Sequence, residues 1–221
     1  PHQLILTATP IPRTLAMSLY GNLEYSAINE MPKGRQDIDT IAISEDRRSE
    51  VLEKISSKCK DGSQVYWVCP LINESEVLEC KAATNTYKEL QSKLKNINIG
   101  LIHGRMKMAE KEEVMSNFRN KKIDVLVSTT IIEVGLDVPN ATVIIIENSE
   151  RMGLAQLHQL RGRVGRGNKK SSCILIFKSG LSELARKRID ILRKCSNGFD
   201  IAKEDLDLRG PGEILGKKQK G

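Results

Sequence analysis

The stretch IDVLVSTTIIEVGLDVPNATVIIIENS, residues 123–149, decides the fold. It holds two short apolar runs, IDVLVSTT (123–130) and ATVIIIENS (141–149), rich in Val and Ile and each closing on polar residues. Runs of this length and β-branched content read as strands, and near-continuous rather than alternating apolarity means burial on both faces. Such strands belong to a parallel sheet covered by helices on both sides.

Outward from this stretch the same order repeats. QVYWVCPL (64–71), NIGLIHG (98–104) and SSCILIFKS (171–179) read as further buried strands. Between them, helical spacing fits 47–60, with Val51, Leu52, Ile55 and Cys59 on one face. It also fits about 75–95, with Tyr87, Leu90 and Leu94 inward, and 108–120, with Val114 and Phe118 inward. The expected class is therefore α/β, a parallel sheet with helices on both faces. Upstream, LILTAT (4–9) ends a strand and a helix starts near Ile11 after Pro10. IDTIAIS (38–44) alternates like a strand within a connecting stretch. Downstream, 181–198 is amphipathic, with Leu184, Ile189 and Leu192 apolar and Gly198 a plausible stop. A second helix fits about 200–207, and RGPGEILGKKQKG (209–221) reads as a loop. The expected units are 1–45 as the end of one domain and a linker, 46–180 as the sheet domain, and 181–221 as a helical hairpin and loop.

Composition narrows the function classes. The 221 residues are 39% hydrophobic and 29% charged, which suits a globular protein with a real core. No apolar run approaches the roughly 18 residues of a membrane span. The net charge of +7 fits an anionic partner such as nucleic acid, whereas 4% aromatic residues argue against a stacking platform for single strands. Cys59, Cys69, Cys80, Cys173 and Cys195 are odd in number, widely spaced and without a C-x-x-C. They speak against a disulfide framework and for the reduced thiols of a cytoplasmic protein. His2, His103 and His158 are too scattered for a metal cluster, so no metal ligand is expected. The opening PHQLILTATP lacks an initiator Met and a basic n-region, so a segment of a longer protein is expected.

The most telling motif is QLHQLRGRVGRG (156–167), where Arg161, Arg163 and Arg166 interleave with Gly162, Gly165 and Gly167. Guanidinium forks bind phosphate oxygens with paired hydrogen bonds. Arg163 and Arg166, three residues apart, face one way if the stretch is helical. GRxGR alone reads more often as a basic surface turn, but a basic element between two β-α units suits a nucleotide cleft, and that context reverses the reading. In STTIIEVGLDVPNA (128–141), Thr129 and Thr130 end a strand, Gly135 permits a tight backbone, and Asp137 suits a ribose hydroxyl; the bland reading is a polar loop with a structural Asp. IHGRMK (102–107) sets Arg105 and Lys107 just past a strand tip. In the tail, Arg209 and Gln219 flank a glycine-rich run that reads, from its residues alone, as a flexible linker.

Taken in order, TATP (7–10), STTIIEVGLDVP (128–139) and QLRGRVGR (159–166) resemble motifs III, V and VI of superfamily 2 helicases and translocases. TATPIPRTLAM, IHGRMK, GLAQLHQLRGRVGRG and DLRGPGEILGKKQKG narrow the resemblance to the bacterial branched-DNA helicases, over nearly the whole chain. The transcription-repair coupling translocases are similar too; Arg105 after Gly104, Val134 before Gly135 and Pro211 favour the former. A passive nucleic-acid-binding module is the alternative of another class.

The resemblance implies a RecA-like sheet. It makes Arg163 and Arg166 arginine fingers on the γ-phosphate of ATP, with Gln159 beside them. Gly135 and Asp137 would touch the nucleotide, and Thr129, Thr130 and Arg105 the DNA backbone. Arg188, Arg209 and Gln219 would belong to a translocation element, which replaces the linker reading. ATP and Mg2+ would be bound mainly by a first motor domain, since neither G-x-x-x-x-G-K-S/T nor D-E-x-H occurs in these residues. The implied partners are branched double-stranded DNA, such as forks and Holliday junctions, and ATP, with no membrane. The implied protein is a monomer in the bacterial cytoplasm, at the nucleoid. This segment alone would neither hydrolyse ATP nor unwind DNA.

Overall fold

The structure is a computed structural model and describes residues 26, 28, 37–70, 76–129 and 138–209, without the side chains of 76–79 and of Arg209. The strands are β1 (Ile38–Ser44), β2 (Gln64–Val68), β3 (Ile99–Ile102), β4 (Val125–Ser128), β5 (Ala141–Ile146) and β6 (Ser171–Phe177). They form one parallel sheet in the order β1-β6-β5-β2-β4-β3. The helices are α1 (Arg48–Lys60), α2 (Glu76–Lys93), α3 (Met108–Arg119), α4 (Leu154–Arg161), α5 (Glu183–Lys194) and α6 (Gly198–Arg209).

Successive residues of each strand enter opposite layers. Val65, Trp67, Val125, Val127, Val143 and Ile145 pack with α1 and α2. Tyr66, Val68, Leu126, Ile144 and Ile146 pack with α3 to α6. Both faces are thus dry, which is why the strands read as unbroken apolar runs. α1 buries Val51, Leu52, Ile55 and Cys59, the face that its spacing predicts.

Three expectations change. IDTIAIS is no connector: β1 pairs in parallel with β6 along its whole length, from Ile38 opposite Ser171 to Ser44 opposite Phe177. A boundary after residue 45 therefore cuts off a strand of the sheet. Gly198 does not stop a helix. α5 ends at Lys194, and the Oδ1 of Asn197 accepts the Phe199 amide at 2.9 Å, so the residues around Gly198 open α6. The hairpin is also no separate unit, because Ile189 and Leu192 of α5 and Ile201 of α6 join the same core as α4 and the sheet.

The connection from β2 leaves toward β3 and that from β5 toward β6, in opposite directions from adjacent strands. Their carboxyl ends form the switch point of the sheet, where open α/β sheets place crevices.

Candidate nucleotide and nucleic-acid site

The basic segment starts on α4, which buries Leu154, Leu157 and Leu160. Helix spacing puts Arg161 on the same inward side, and it is 5% exposed. Its Nη1 donates to the carbonyls of Leu192 (2.6 Å) and Cys195 (2.8 Å), and its Nη2 donates to Ser196 (3.3 Å) and meets His158 Nδ1 at 2.9 Å. A buried cation thus sits at the C-terminal end of α5, where helix carbonyls lack intrahelical partners and the dipole favours positive charge. Arg161 is a fastener and not a phosphate ligand.

Arg163 and Arg166 lie past the helix. α4 ends at Arg161, a turn follows, and Gly165 takes a φ of 78° that L-residues avoid. The helical alignment of the two arginines therefore does not occur. Arg163 is half-buried, and Arg166 and Gln159 are exposed. The Nε of Arg166 donates to Gly162 O at 3.3 Å. The Gly165 amide donates to Ser171 Oγ at 3.1 Å, fixing the turn to the start of β6. A Cβ on Gly167 would lie 2.6 Å from the carbonyl oxygen of Pro139, so the segment passes directly against the chain entering β5.

Arg105 and Thr129 lie at the opposite edge. Arg105 is exposed just past β3. The loop that carries it is braced by Lys111, whose Nζ donates to Gly104 O at 2.8 Å, and by Glu110, which accepts the Lys107 amide at 2.8 Å. Thr129 is buried just past β4; its amide donates to Ile102 O, while its Oγ1 has no partner. Burial, then Lys111 and Arg105, hold the His103 imidazole below its ordinary range. These two positions and the arginine-glycine segment thus occupy opposite edges, separated by the length of the strands: about 20 Å for a six-residue strand. Thr130, Gly135 and Asp137 lie outside the described residues, as do Gln219 and the Arg209 side chain. Arg188 on α5 donates from Nη1 to Met152 O at 2.9 Å, just ahead of α4. Among the described residues, no group of three or more His, Cys, Asp or Glu side chains gathers to hold a metal ion. No helix among them is long and apolar enough to cross a membrane.

A charged cluster at the switch point has no counterpart in the sequence reading. Arg48 of α1 donates from Nε to Glu147 Oε1 at 3.0 Å, pairs through Nη1 with Glu89, and lies over the Trp67 ring with its Cζ 5.1 Å from the centroid. Glu147 also accepts from Thr86 at 3.5 Å and Cys69 at 3.7 Å. Partners separated by 41 and 99 positions leave no local pattern to find.

A parallel sheet of this order, with an arginine-glycine segment fastened between β5 and a C-terminal hairpin, defines a helicase C-terminal domain. The profile of the helicase conserved C-terminal domain matches residues 46–168, and the chain belongs to that family. Over its full length it is 56% identical to the ATP-dependent DNA helicase RecG of Pasteurella multocida and 55% identical to that of Escherichia coli K12, covering 32% of each. The chain thus spans about a third of the length of these curated relatives. Among solved structures it is similar to RecG bound to a three-way DNA junction, with 45% identity, a TM-score of 0.78, and coverage of 94% of this chain and 27% of that one. Saccharomyces cerevisiae Dbp5 bound to RNA and ADP BeF3 shares the fold, at 14% identity and a TM-score of 0.59 over 90% of this chain and 52% of that one. The RecA-like class implied by the motifs is the observed one.

Proposed function

We propose that this chain is the second motor domain and translocation element of an ATP-dependent helicase that remodels branched double-stranded DNA, forks and Holliday junctions, in repair and recombination. The observation that carries this reading is the double attachment of segment 159–167. Gly167 lies against Pro139, the end of the segment that begins at Thr129, and Arg161 is bonded to the end of α5. One short piece of chain therefore touches the strand connection and the hairpin together. The likeness to a junction-bound RecG supports the choice of branched DNA.

In this reading Arg163 and Arg166 meet the γ-phosphate of ATP held mainly by a preceding motor domain, and they offset the charge that develops during transfer to water. The exposed Arg166 and the half-buried Arg163, in a segment at the amino edge of the sheet, suit a ligand supplied by another domain. Gln159 lies beside them, and Gly135 and Asp137 complete the nucleotide contact. Mg2+ neutralises phosphate charge when bound, and the described residues of this chain offer it no ligand cluster. Thr129, Thr130 and Arg105 hold the DNA backbone. Arg188, Arg209 and Gln219 couple the hairpin to the motor. The complete protein acts as a monomer at the bacterial nucleoid.

The deciding experiment uses the full-length protein with Arg166→Ala. ATP hydrolysis should be abolished while binding to a model fork survives. Near-normal turnover in that variant refutes the finger assignment.

A further inference from the structure

The loop from Glu147 to Gly153 leads straight into α4 and so sets where the arginine segment lies. Several elements pin it. Arg48 holds Glu147, Ser149 Oγ donates to Ile176 O at 3.1 Å, and Arg188 donates to Met152 O at 2.9 Å. Between the first two pins, Asn148 has a φ of 46°, a left-handed conformation costly for most side chains. The loop is thus held in one shape by contacts from outside it.

The Arg48–Glu147 pair is the unusual pin. The two side chains are 19% and 15% exposed, and a pair this buried contributes little net stability compared with apolar side chains of the same size. Stability alone does not account for it. It ties α1, α2, Trp67 of β2 and the end of β5 together at the switch point. It also borders a cleft of about 250 Å³ lined by Thr86, Asn148 and Lys178, so removal of a charge there leaves room for water.

We propose that Arg48 and Glu147 form a positioning pair for ATP turnover: by fixing the first residue of the 147–153 loop they fix α4, and through α4 they fix Arg163 and Arg166. This rests on the motor reading above. Neither residue touches the nucleotide. Losing the pair should lower the rate of the bound complex without weakening ATP binding, the signature of a misplaced group whose interaction is made only in the transition state.

The test is steady-state ATP hydrolysis by the full-length protein at saturating fork DNA, with wild type, Arg48→Met/Glu147→Gln, Glu147→Gln and the exposed-pair control Arg47→Ala. The double variant should melt within about 3 °C of wild type, with kcat down about tenfold and KM for ATP within about twofold. Arg47→Ala should match wild type. A folded double variant with wild-type kcat, or one whose KM rises while kcat holds, overturns the positioning role. If the double variant melts early, Glu147→Gln decides instead, because it keeps the Arg48–Glu89 contact; unchanged kcat there overturns the role equally. A wild-type protein without DNA-stimulated hydrolysis would fail the motor reading itself, which is a separate result.

Discussion

Arg161→Ala is the perturbation with the most structure behind it. The side chain is 5% exposed and serves the carbonyls of Leu192, Cys195 and Ser196 at 2.6, 2.8 and 3.3 Å. A hydrogen bond from a charged donor contributes roughly 1.5–3 kcal/mol. The third bond is long, and the three share one donor group, so their effects do not sum. The favourable placement of a cation at the end of α5 adds about 0.5–1 kcal/mol. A net loss of about 3–5 kcal/mol follows, a large share of the ~5–15 kcal/mol that holds most domains folded. At about 2–4 °C per kcal/mol for a chain of this size, the melting temperature should fall by roughly 6–20 °C. Calorimetry of the chain reads that shift, and amide exchange locates it. α5 and α6 should lose protection before β5, since Arg161 bonds the carbonyls that close α5. A loss below about 1 kcal/mol, or α5 exchanging as slowly as in wild type, refutes the fastening role.

Three further outcomes follow from the same geometry. Gly167→Ala places a Cβ 2.6 Å from a backbone oxygen that cannot rotate away, so urea unfolding should show a loss of about 1–3 kcal/mol from overpacking. His103 has a folded pKa below its ordinary 6.5, first through burial and then through Lys111 and Arg105. The folded state therefore resists protonation, and this contribution is complete above the unfolded value and is lost as pH falls through the folded one. Melting temperature should decline as pH drops below about 6.5, and His103→Gln should flatten that slope. Burial pushes the Cys59 and Cys173 thiols up to about 12 and raises Cys69 as well, so a thiol reagent at neutral pH should label these three only at the rate of unfolding, measured by mass spectrometry.

Much of the sheet was legible because a strand buried on both faces carries its own label. VLVS and ATVIII need no context to read as strands, and both lie where expected. β1 was harder. As an edge strand it alternates, with Asp39 and Ile41 exposed, and alternation next to Pro32 and Gly34 looks like a connector. Arg161 was hidden by its chemistry, since three arginines in one motif look equivalent. The available signal was period. Leu157, Leu160, Arg161 and Val164 follow i, i+3, i+4, i+7, which puts the first arginine on the buried face and leaves the other two off it. The division of the candidates between two edges was not legible at all. It depends on which way α4 runs relative to the strands, and no local stretch of sequence states that.

The arginines divide by direction, and on the motor reading proposed above that division bears on how force would be transmitted. Arg48, Arg161 and Arg188 point inward and bond carboxylates or backbone carbonyls. Arg105 and Arg166 are exposed, and Arg163 is half-buried. α4 is fixed ahead of its first turn by Arg188 from α5 and at its last residue by Arg161 to the end of α5. Two attachments at opposite ends of α4 make it and α5 move together. If a phosphate draws Arg163 and Arg166 toward a neighbouring domain, α5 and the helix that follows it must travel with them, or the bonds of Arg161 must break. Breaking them costs about 3–5 kcal/mol, as much as the free energy that biases many domain motions. Movement of the hairpin is the cheaper response, and it requires no contact between nucleotide and DNA.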